Sequence, residues 1–187
     1  MKPITPYVGA VDTAIRFKLD PPSMWVCLGR TTPWEDENNP PDPSDYLNNP
    51  QFINMIVPEE PIVLKRVDFI GLCVPDSRGP ILYNDQRYRP VPDSQAVDLL
   101  ARWVYIRASL DYFERSSTGA IVLGATQFRQ VTILSGVTPL PPYKQEIILN
   151  PSQVQDWGRM VFVANLPPRD RDPKMRDVLQ WVREFRG

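Results

Sequence analysis

The segment with the most distinctive chemistry is an acidic, proline-rich stretch over residues 29–43, Gly-Arg-Thr-Thr-Pro-Trp-Glu-Asp-Glu-Asn-Asn-Pro-Pro-Asp-Pro. Its carboxylates could suggest calcium, but they lack the spacing and the central glycine of a calcium-binding loop. Prolines fix the backbone, and Asn and Asp side chains favour local turns. We therefore predict a pre-ordered loop that either caps a strand or docks to a partner at low entropic cost, with Trp34 as its anchor.

Groups that could support catalysis are few. The chain has no histidine, which excludes Ser-His-Asp and Cys-His catalysis and histidine-ligated zinc. Glu59 and Glu60 are flanked by Pro58 and Pro61, and no second motif supports them. The sequence contains neither a glycine-rich phosphate loop nor a nucleophile elbow. We therefore expect no cofactor, no metal and no small-molecule substrate, whereas a glycosidase-type pair of carboxylates that meet only in the fold stays open at this point.

Charge and hydropathy bear on the other classes of partner. The chain carries 21 Lys and Arg against 22 Asp and Glu, a net charge of -1, which argues against nucleic acid. Residues 87–89, Arg-Tyr-Arg, are typical of an exposed edge strand in such a chain. The N-terminus lacks the apolar region of a signal peptide, and no apolar run could span a bilayer. We expect no membrane partner, and a protein kept in a cytoplasm or packed into a particle assembled there.

The two cysteines, Cys27 and Cys73, both lie in apolar runs typical of buried strands. There a cysteine behaves as a small hydrophobic residue. A disulfide between them requires the two strands to be neighbours, which the sequence leaves open.

The elements that position these groups are short. The 22 prolines cut the chain into pieces and exclude long helices nearly everywhere. Runs rich in β-branched and aromatic residues predict strands at 24–28, within 62–74, at 103–112, at 128–134 and at 159–164. The segment Ile81–Val91 is predicted to form a hairpin that turns at Asn84 and Asp85. Short strands separated by turn signals favour an all-β sandwich.

Two segments also carry helix signals. Ser94–Arg102 begins with a capping serine and has apolar residues at helical spacing. Lys174–Phe185 follows Asp-Pro, a good helix start, but its residues also alternate as in a strand. The predicted fold is mainly all-β. It is a single β-sandwich-like domain over 1–187 with proline-rich loops, at most one or two short helices, an N-terminal arm (1–22) and a C-terminal segment (169–187).

Three blocks of the sequence resemble the baseplate wedge proteins of contractile-tailed phages, the family of the T-even gene 8 product. The first is the strand-Gly-Arg-x-x-Pro-Trp run of 25–34 with its acidic, Asn- and Pro-rich tail. The second is Phe-Arg-Gln within 127–134, and the third is 158–168, which ends in Asn-Leu-Pro-Pro. The chain looks like a shortened form, because a large insertion domain of the T-even protein is missing. Family members finish on a strand, which favours a strand at 178–185.

The resemblance implies a β-sandwich-like structural virion protein that joins neighbouring baseplate subunits and catalyses no reaction. It implies other phage baseplate or tail proteins as partners, a homodimer or several copies in the assembly, and assembly in the host cytoplasm before residence in the tail baseplate. We expect proline-fixed loops and a terminal edge strand to make the contacts. The candidate partner-binding residues are Arg30, Pro33, Trp34, Asn38, Asn39, Pro40, Tyr143, Trp181 and Phe185.

Two other functions fit the same sequence. One is a neck, collar or fibre-attachment protein of a tailed phage built on the same β domain. The other is non-structural: a β-sandwich hydrolase, which needs a carboxylate pair in a cleft, or a carbohydrate-binding module, which needs a planar row of exposed aromatic side chains. We predict that Trp25 and Trp103 are largely buried instead, which disfavours the module.

Overall fold

The computed structural model describes residues 8–19, 24–42, 58–112, 127–172 and 174–185. In this part of the chain one α-helix, α1 (Val8–Leu19), accompanies twelve strands. The strands are β1 (Met24–Gly29), β2 (Pro61–Arg66), β3 (Phe69–Pro75), β4 (Ile81–Tyr83), β5 (Gln86–Val91), β6 (Trp103–Asp111), β7 (Gln127–Ser135), β8 (Thr138–Pro139), β9 (Ile148–Leu149), β10 (Val154–Asp156), β11 (Arg159–Asp170) and β12 (Arg176–Glu184). The prediction of a mainly all-β fold is confirmed. The described helix lacks the length and apolarity needed to cross a membrane.

The chain divides into two compact units. The first comprises Met1–Pro22, Val67–Ala108 and Val178–Gly187, and the second comprises Ser23–Arg66 and Ser109–Asp177. The single β-sandwich-like domain over 1–187 stays a prediction.

The first unit is built on a five-stranded sheet in the order β12-β6-β3-β5-β4. Helix α1, which lies within the predicted N-terminal arm, packs against β3. Its buried residues Ala10, Val11 and Ala14 are small enough to allow a close approach. The predicted hairpin is confirmed as β4 and β5. Asn84 and Asp85 both have positive φ, the turn geometry that matches the twist of paired strands.

The two segments with helix signals differ from each other in the structure. The helix that the sequence allowed over Ser94–Arg102 does not form, and a 3-10 turn spans Asp93–Gln95. In this segment the apolar side chains of Val97 and Leu99 are exposed, and Leu100 reverses the chain with positive φ. The C-terminal segment forms the strand β12, as the resemblance favoured, and buries Leu179 and Trp181.

The second unit contains a five-stranded sheet in the order β11-β7-β1-β2-β9 and a two-stranded sheet of β10 and β8. All six residues of β1 are buried, because β1 lies between β2 and β7 and both of its faces are covered. Its side chains Trp25 and Cys27 pack with Leu64, Leu134 and Leu149 in one apolar cluster. Trp25 is fully buried, whereas Trp103 in the first unit is partly buried.

Both cysteines are buried free thiols. Burial raises the pKa of each, that of Cys73 to about 12, so both remain protonated near neutral pH. Their predicted behaviour as small core residues is confirmed, and no disulfide joins them.

Gly158, immediately before β11, provides a test of this framework. It has φ +65°, and an added Cβ would lie 2.0 Å from the Ser135 carbonyl oxygen. Gly158→Ala should therefore lower the free energy of unfolding by at least about 1–2 kcal/mol in chemical denaturation. The matched control is Gly9→Ala in α1, where nothing lies within 4 Å of the added methyl group. Equal stabilities of the two variants would contradict the strained geometry at Gly158.

Candidate interaction site

The acidic loop leaves β1 through a tight backbone approach at Gly29. A Cβ there would lie 2.6 Å from the Glu59 carbonyl oxygen, so the position requires glycine. The register between β1 and β2 shifts at this point. Arg30 follows with φ 59°, and its N–H donates to the carbonyl oxygens of Glu59 and Glu60, at 3.1 Å each. These constraints fix the direction in which the chain leaves the sheet.

Residues 30–42, here named the clasped loop, are held to the sheet by Trp34. Its indole Nε1 donates to the Leu166 carbonyl oxygen at 2.8 Å, and its side chain is 5% exposed. The Arg30 guanidinium lies 3.7 Å above the indole ring and pairs with Glu59 at 2.8 Å. Trp34 is therefore an anchor within its own chain, one of the two positions the sequence left open for it. Pro43, the last residue of the predicted loop, lies outside the described residues.

The acceptor for Trp34 exists because β11 is interrupted. The register of β11 on β7 shifts between Asn165 and Arg169. The intervening residues include Pro167 and Pro168, which have no N–H to donate to a ladder. The interruption leaves the Leu166 carbonyl oxygen available to the indole.

A relay of amide side chains extends the same attachment. Gln130 accepts a hydrogen bond from the Glu59 N–H at 3.2 Å and donates to Asn165 at 3.1 Å. Asn165 in turn donates to the Pro41 carbonyl oxygen at 2.8 Å. Gln130 is 2% exposed, so these bonds satisfy a polar group inside the unit.

The strongest electrostatic contact of the clasped loop is made by Arg129 on β7. Its Nε lies 2.9 and 3.1 Å from the two carboxylate oxygens of Glu37, and its Nη1 donates to the Thr31 carbonyl oxygen. Arg129 is 6% exposed, whereas the Glu37 side chain is 33% exposed. The loop therefore supplies the countercharge for a cation that is buried in the folded unit.

Local turns order the rest of the clasped loop. Asp36 accepts hydrogen bonds from the Asn39 side chain at 2.9 Å and the Asn38 N–H at 3.0 Å, which lower the pKa of its carboxyl. Thr32 donates its hydroxyl and N–H to Glu60, and these bonds lower the pKa of Glu60. The carboxylates thus serve as fixed acceptors. Within the described residues no group of three or more acidic or cysteine residues could hold a metal ion.

The clasped loop has an inner and an outer side. Trp34 is buried and Glu37 is half-buried toward the sheet. Exposed residues form the outer side: Thr31, Thr32, Pro33, Glu35, Asp36, Asn38, Asn39, Pro41 and Asp42. Pro40 is half-buried. The structure therefore brings six candidate residues together, namely Arg30, Pro33, Trp34, Asn38, Asn39 and Pro40.

The other three candidate residues lie elsewhere. Tyr143 is half-buried beside the apolar cluster of the second unit. Trp181 and Phe185 belong to the first unit and are 7% and 8% exposed. No described hydrogen bond or ion pair of the clasped loop involves any of the three.

The sequence interpretation did not identify the residues that receive the loop: Arg129, Gln130, Asn165 and Leu166. The first three are polar residues within otherwise apolar strands, which is the signal that could have marked them. They also lie in the second and third blocks of the resemblance. The fold therefore brings together the three blocks that are dispersed along the sequence.

Comparison with known proteins decides the family. A family model described as baseplate wedge 3 tail fiber network component matches residues 3–185. The chain belongs to this family. Virion protein 3 of Enterococcus phage phiEF24C is a relative of this baseplate wedge family member, 28% identical over 167 residues, or 86% of this chain and 83% of that protein. The resemblance to phage baseplate wedge proteins is confirmed at the level of the family, which comprises structural proteins of the virion.

Glu37 provides the first test of the clasped loop in this baseplate wedge family member. Glu37→Gln leaves the buried Arg129 without its carboxylate partner, so the free energy of unfolding should fall by about 1.5–3 kcal/mol. Glu35→Gln is the matched control, because Glu35 is exposed and should change it by less than about 0.5 kcal/mol. Chemical denaturation of both variants measures the difference, and equal losses would contradict the contact with Arg129.

Glu60 provides a test by pH. The pKa of Glu60 is lower in the folded chain than the unfolded value of about 4.3, so ionised Glu60 stabilises the fold at pH values above 4.3. This contribution is lost as the pH falls through the folded pKa. Thr32→Val removes the hydroxyl donor, so the pKa of Glu60 should rise toward its ordinary value. An NMR titration of the Glu60 carboxyl measures the change. Thr31→Val is the control, since the Thr31 hydroxyl makes no hydrogen bond among the described residues, and an equal shift there would refute the assignment.

Proposed function

We propose that this protein is a wedge component of a contractile phage tail baseplate, where it joins neighbouring subunits through loop and strand-edge contacts. The clasped loop carries the proposal. Its inner side is fixed by Trp34 and Glu37, and its outer side consists of exposed polar residues and prolines. A segment already fixed in this way loses little conformational entropy when a partner binds.

The proposal assigns different roles to the residues of the loop. Pro33, Asn38 and Asn39 are exposed and touch the partner directly. Trp34 and Arg30 position them, because they form the stacked pair that attaches the loop to the sheet. A polar outer side over a rigid base suits an interface that must rearrange when the tail contracts.

The remaining candidates fit the strand-edge part of the proposal. Tyr143 follows two prolines and keeps part of its ring accessible for contact. Trp181 and Phe185 support β12 from inside, and β12 is an edge strand of its sheet. Its Val178 side chain is 50% exposed and is available to a neighbour. Unpaired strand edges accept further strands readily.

The family description supplies the class of partner. It names a tail fiber network, and we propose that other baseplate proteins and this network are the neighbours, with several copies of the chain per assembly. Assembly takes place in the host cytoplasm before the particle is released. The proposed role is structural and includes no reaction.

The deciding experiment is immunogold labelling of intact and of dissociated tailed particles with an antibody to this chain. Label at the distal end of the tail supports the wedge role. Label at the head–tail junction would place the chain in the neck or collar instead. Absence from dissociated particles would refute both structural roles.

The role of the loop is tested by complementation of a phage that lacks the gene. Glu35→Lys reverses a charge on the outer side of the clasped loop, and it should lower incorporation of the chain into particles with little change in thermal unfolding. Asp98→Lys is the matched control, because Asp98 is exposed in a turn of the first unit. Equal incorporation of both variants would refute a partner contact at this part of the loop.

A further inference from the structure

The two outer strands of the first-unit sheet, β12 and β4, stand at opposite ends of the strand order, yet a side chain connects them. Gln180 on β12 donates through its Nε2 to the Leu82 carbonyl oxygen on β4 at 3.1 Å. Its Oε1 accepts a hydrogen bond from the Tyr105 hydroxyl on β6 at 3.0 Å. All three residues belong to the first unit, so one amide side chain joins the two ends of a single sheet.

Apolar contacts bring the same two strands together on one face of the sheet. Ile81 of β4 packs with Cys73 of β3 and Tyr105 of β6 in a cluster of buried side chains. Val182 of β12 packs against this cluster from the other end of the strand order. The sheet therefore curls far enough for both of its outer strands to cover one cluster.

The acceptor of the Gln180 side chain lies on the free edge of β4. Leu82 pairs with Arg87 on β5, and the Arg87 carbonyl oxygen accepts a hydrogen bond from the Asp76 N–H on the side away from β4. In antiparallel strands the N–H and the carbonyl of a residue point to the same side, so this pair exchanges no ladder hydrogen bonds. The Leu82 carbonyl therefore points away from β5. Gln180 occupies an acceptor on an edge where another strand could otherwise pair.

This closure of the sheet depends on side chains. The backbone of β4 pairs with β5, and β12 lies beside β6, so in the described part of the chain no backbone ladder joins β4 to β12. Leu82 is 48% exposed, so water can replace Gln180 at its carbonyl oxygen, and such a hydrogen bond adds little to stability. Proteins open locally at a smaller free energy than they unfold. The sheet can therefore open between β4 and β12 while its backbone ladders remain intact.

We propose that Gln180 is a latch that holds the first-unit sheet closed and releases it by local opening. With the latch closed, β4 and β12 cover the cluster around Cys73, and the β4 edge is occupied at Leu82. With the latch open, the two strands separate, and both the cluster and an unpaired strand edge become accessible. The latch is a property of the fold of the first unit and goes beyond the proposed place of the chain in the particle.

Cys73 reports the opening directly. Its side chain is fully buried, so a thiol reagent reaches it only when the cluster opens. Cys27, which is equally buried in the second unit, is the internal control. The experiment measures the labelling rates of both thiols in the full chain with a water-soluble disulfide reagent, and mass spectrometry of the digested chain separates the two sites.

The first measurement uses the unaltered chain at increasing urea concentrations below the unfolding transition. Opening of the latch exposes much less surface than global unfolding, so Cys73 labelling should rise far less steeply with urea than the unfolding equilibrium does. Circular dichroism of the same samples supplies the urea dependence of global unfolding.

The second measurement uses Gln180→Glu, which keeps the acceptor for Tyr105 but places a carboxylate against the Leu82 carbonyl oxygen. This variant should raise the rate of Cys73 labelling roughly tenfold. The labelling rate of Cys27 should change by less than about twofold. Gln95→Glu is the matched control, because Gln95 is exposed in the first unit and makes none of the latch contacts.

Cys73 labelling that follows the urea dependence of global unfolding would overturn the proposal. Equal Cys73 rates in Gln180→Glu and Gln95→Glu would overturn it too. Equal acceleration of both thiols in Gln180→Glu would assign Gln180 to the stability of the whole chain and would likewise exclude a latch. The measurements use the purified chain, so their outcome is independent of where the antibody labels the particle.

Discussion

The organisation of the second unit depends on one buried cation. Arg129 lies on β7, the strand between β1 and β11, and in the folded unit its side chain has almost no access to water. A charge in that position must be paired and hydrogen-bonded, or it destabilises the fold by several kcal/mol, on the order of 3–5. The strands themselves offer no carboxylate to Arg129 among its described contacts. Glu37 and the Thr31 carbonyl supply the partners, so the Arg129 guanidinium has its carboxylate only when the clasped loop is in place.

The remaining contacts between the clasped loop and the sheet favour a single loop conformation. An apolar loop could cover a sheet in several registers, whereas the Gln130–Asn165 relay accepts one arrangement of donors and acceptors. Trp34 adds an apolar ring whose single N–H has its acceptor at the interruption of β11. Polar groups inside the unit thus select the loop conformation, while side chains such as Pro33, Glu35 and Asn38 stay exposed on the outer side. This separation allows the outer side to suit a partner while the inner side maintains the fold.

Much of the fold followed from local patterns, because local patterns report local structure. The hairpin at Asn84 and Asp85 was predictable, since residue types that tolerate positive φ mark such a turn between short strands. The strand Trp103–Asp111 was predictable from alternation, and its even-numbered residues 104–110 are buried as the pattern requires. No α-helix forms over Ser94–Arg102, where Ala96 and Ala101 are buried but Val97 and Leu99 are exposed. Which residues of the segment reach the core is a property of the whole unit that no short window contains.

The candidate site was also predictable only in part. The loop was recognisable from its prolines and acids, and the resemblance marked the blocks that receive it. The partners of each side chain were not predictable, because Glu37 and Arg129 are 92 residues apart and Trp34 and Leu166 are 132 apart. A chain pattern carries no information on contacts at such separations. Tyr143, Trp181 and Phe185 were selected for their size and position near prolines or the terminus, and the last two belong to the first unit rather than to the unit of the loop.

The long separation between Trp34 and Leu166 has a consequence for synthesis. The loop is made first, and its acceptor follows 132 residues later. The nascent protein therefore emerges with an unattached loop and cannot complete the contact until β11 has left the ribosome. Closing so long a loop is slow relative to local folding, so the outer side takes its final shape as a late event. The outer side of the loop is therefore presented in this shape by chains in which β11 has been made and folded, and not by chains that are still emerging.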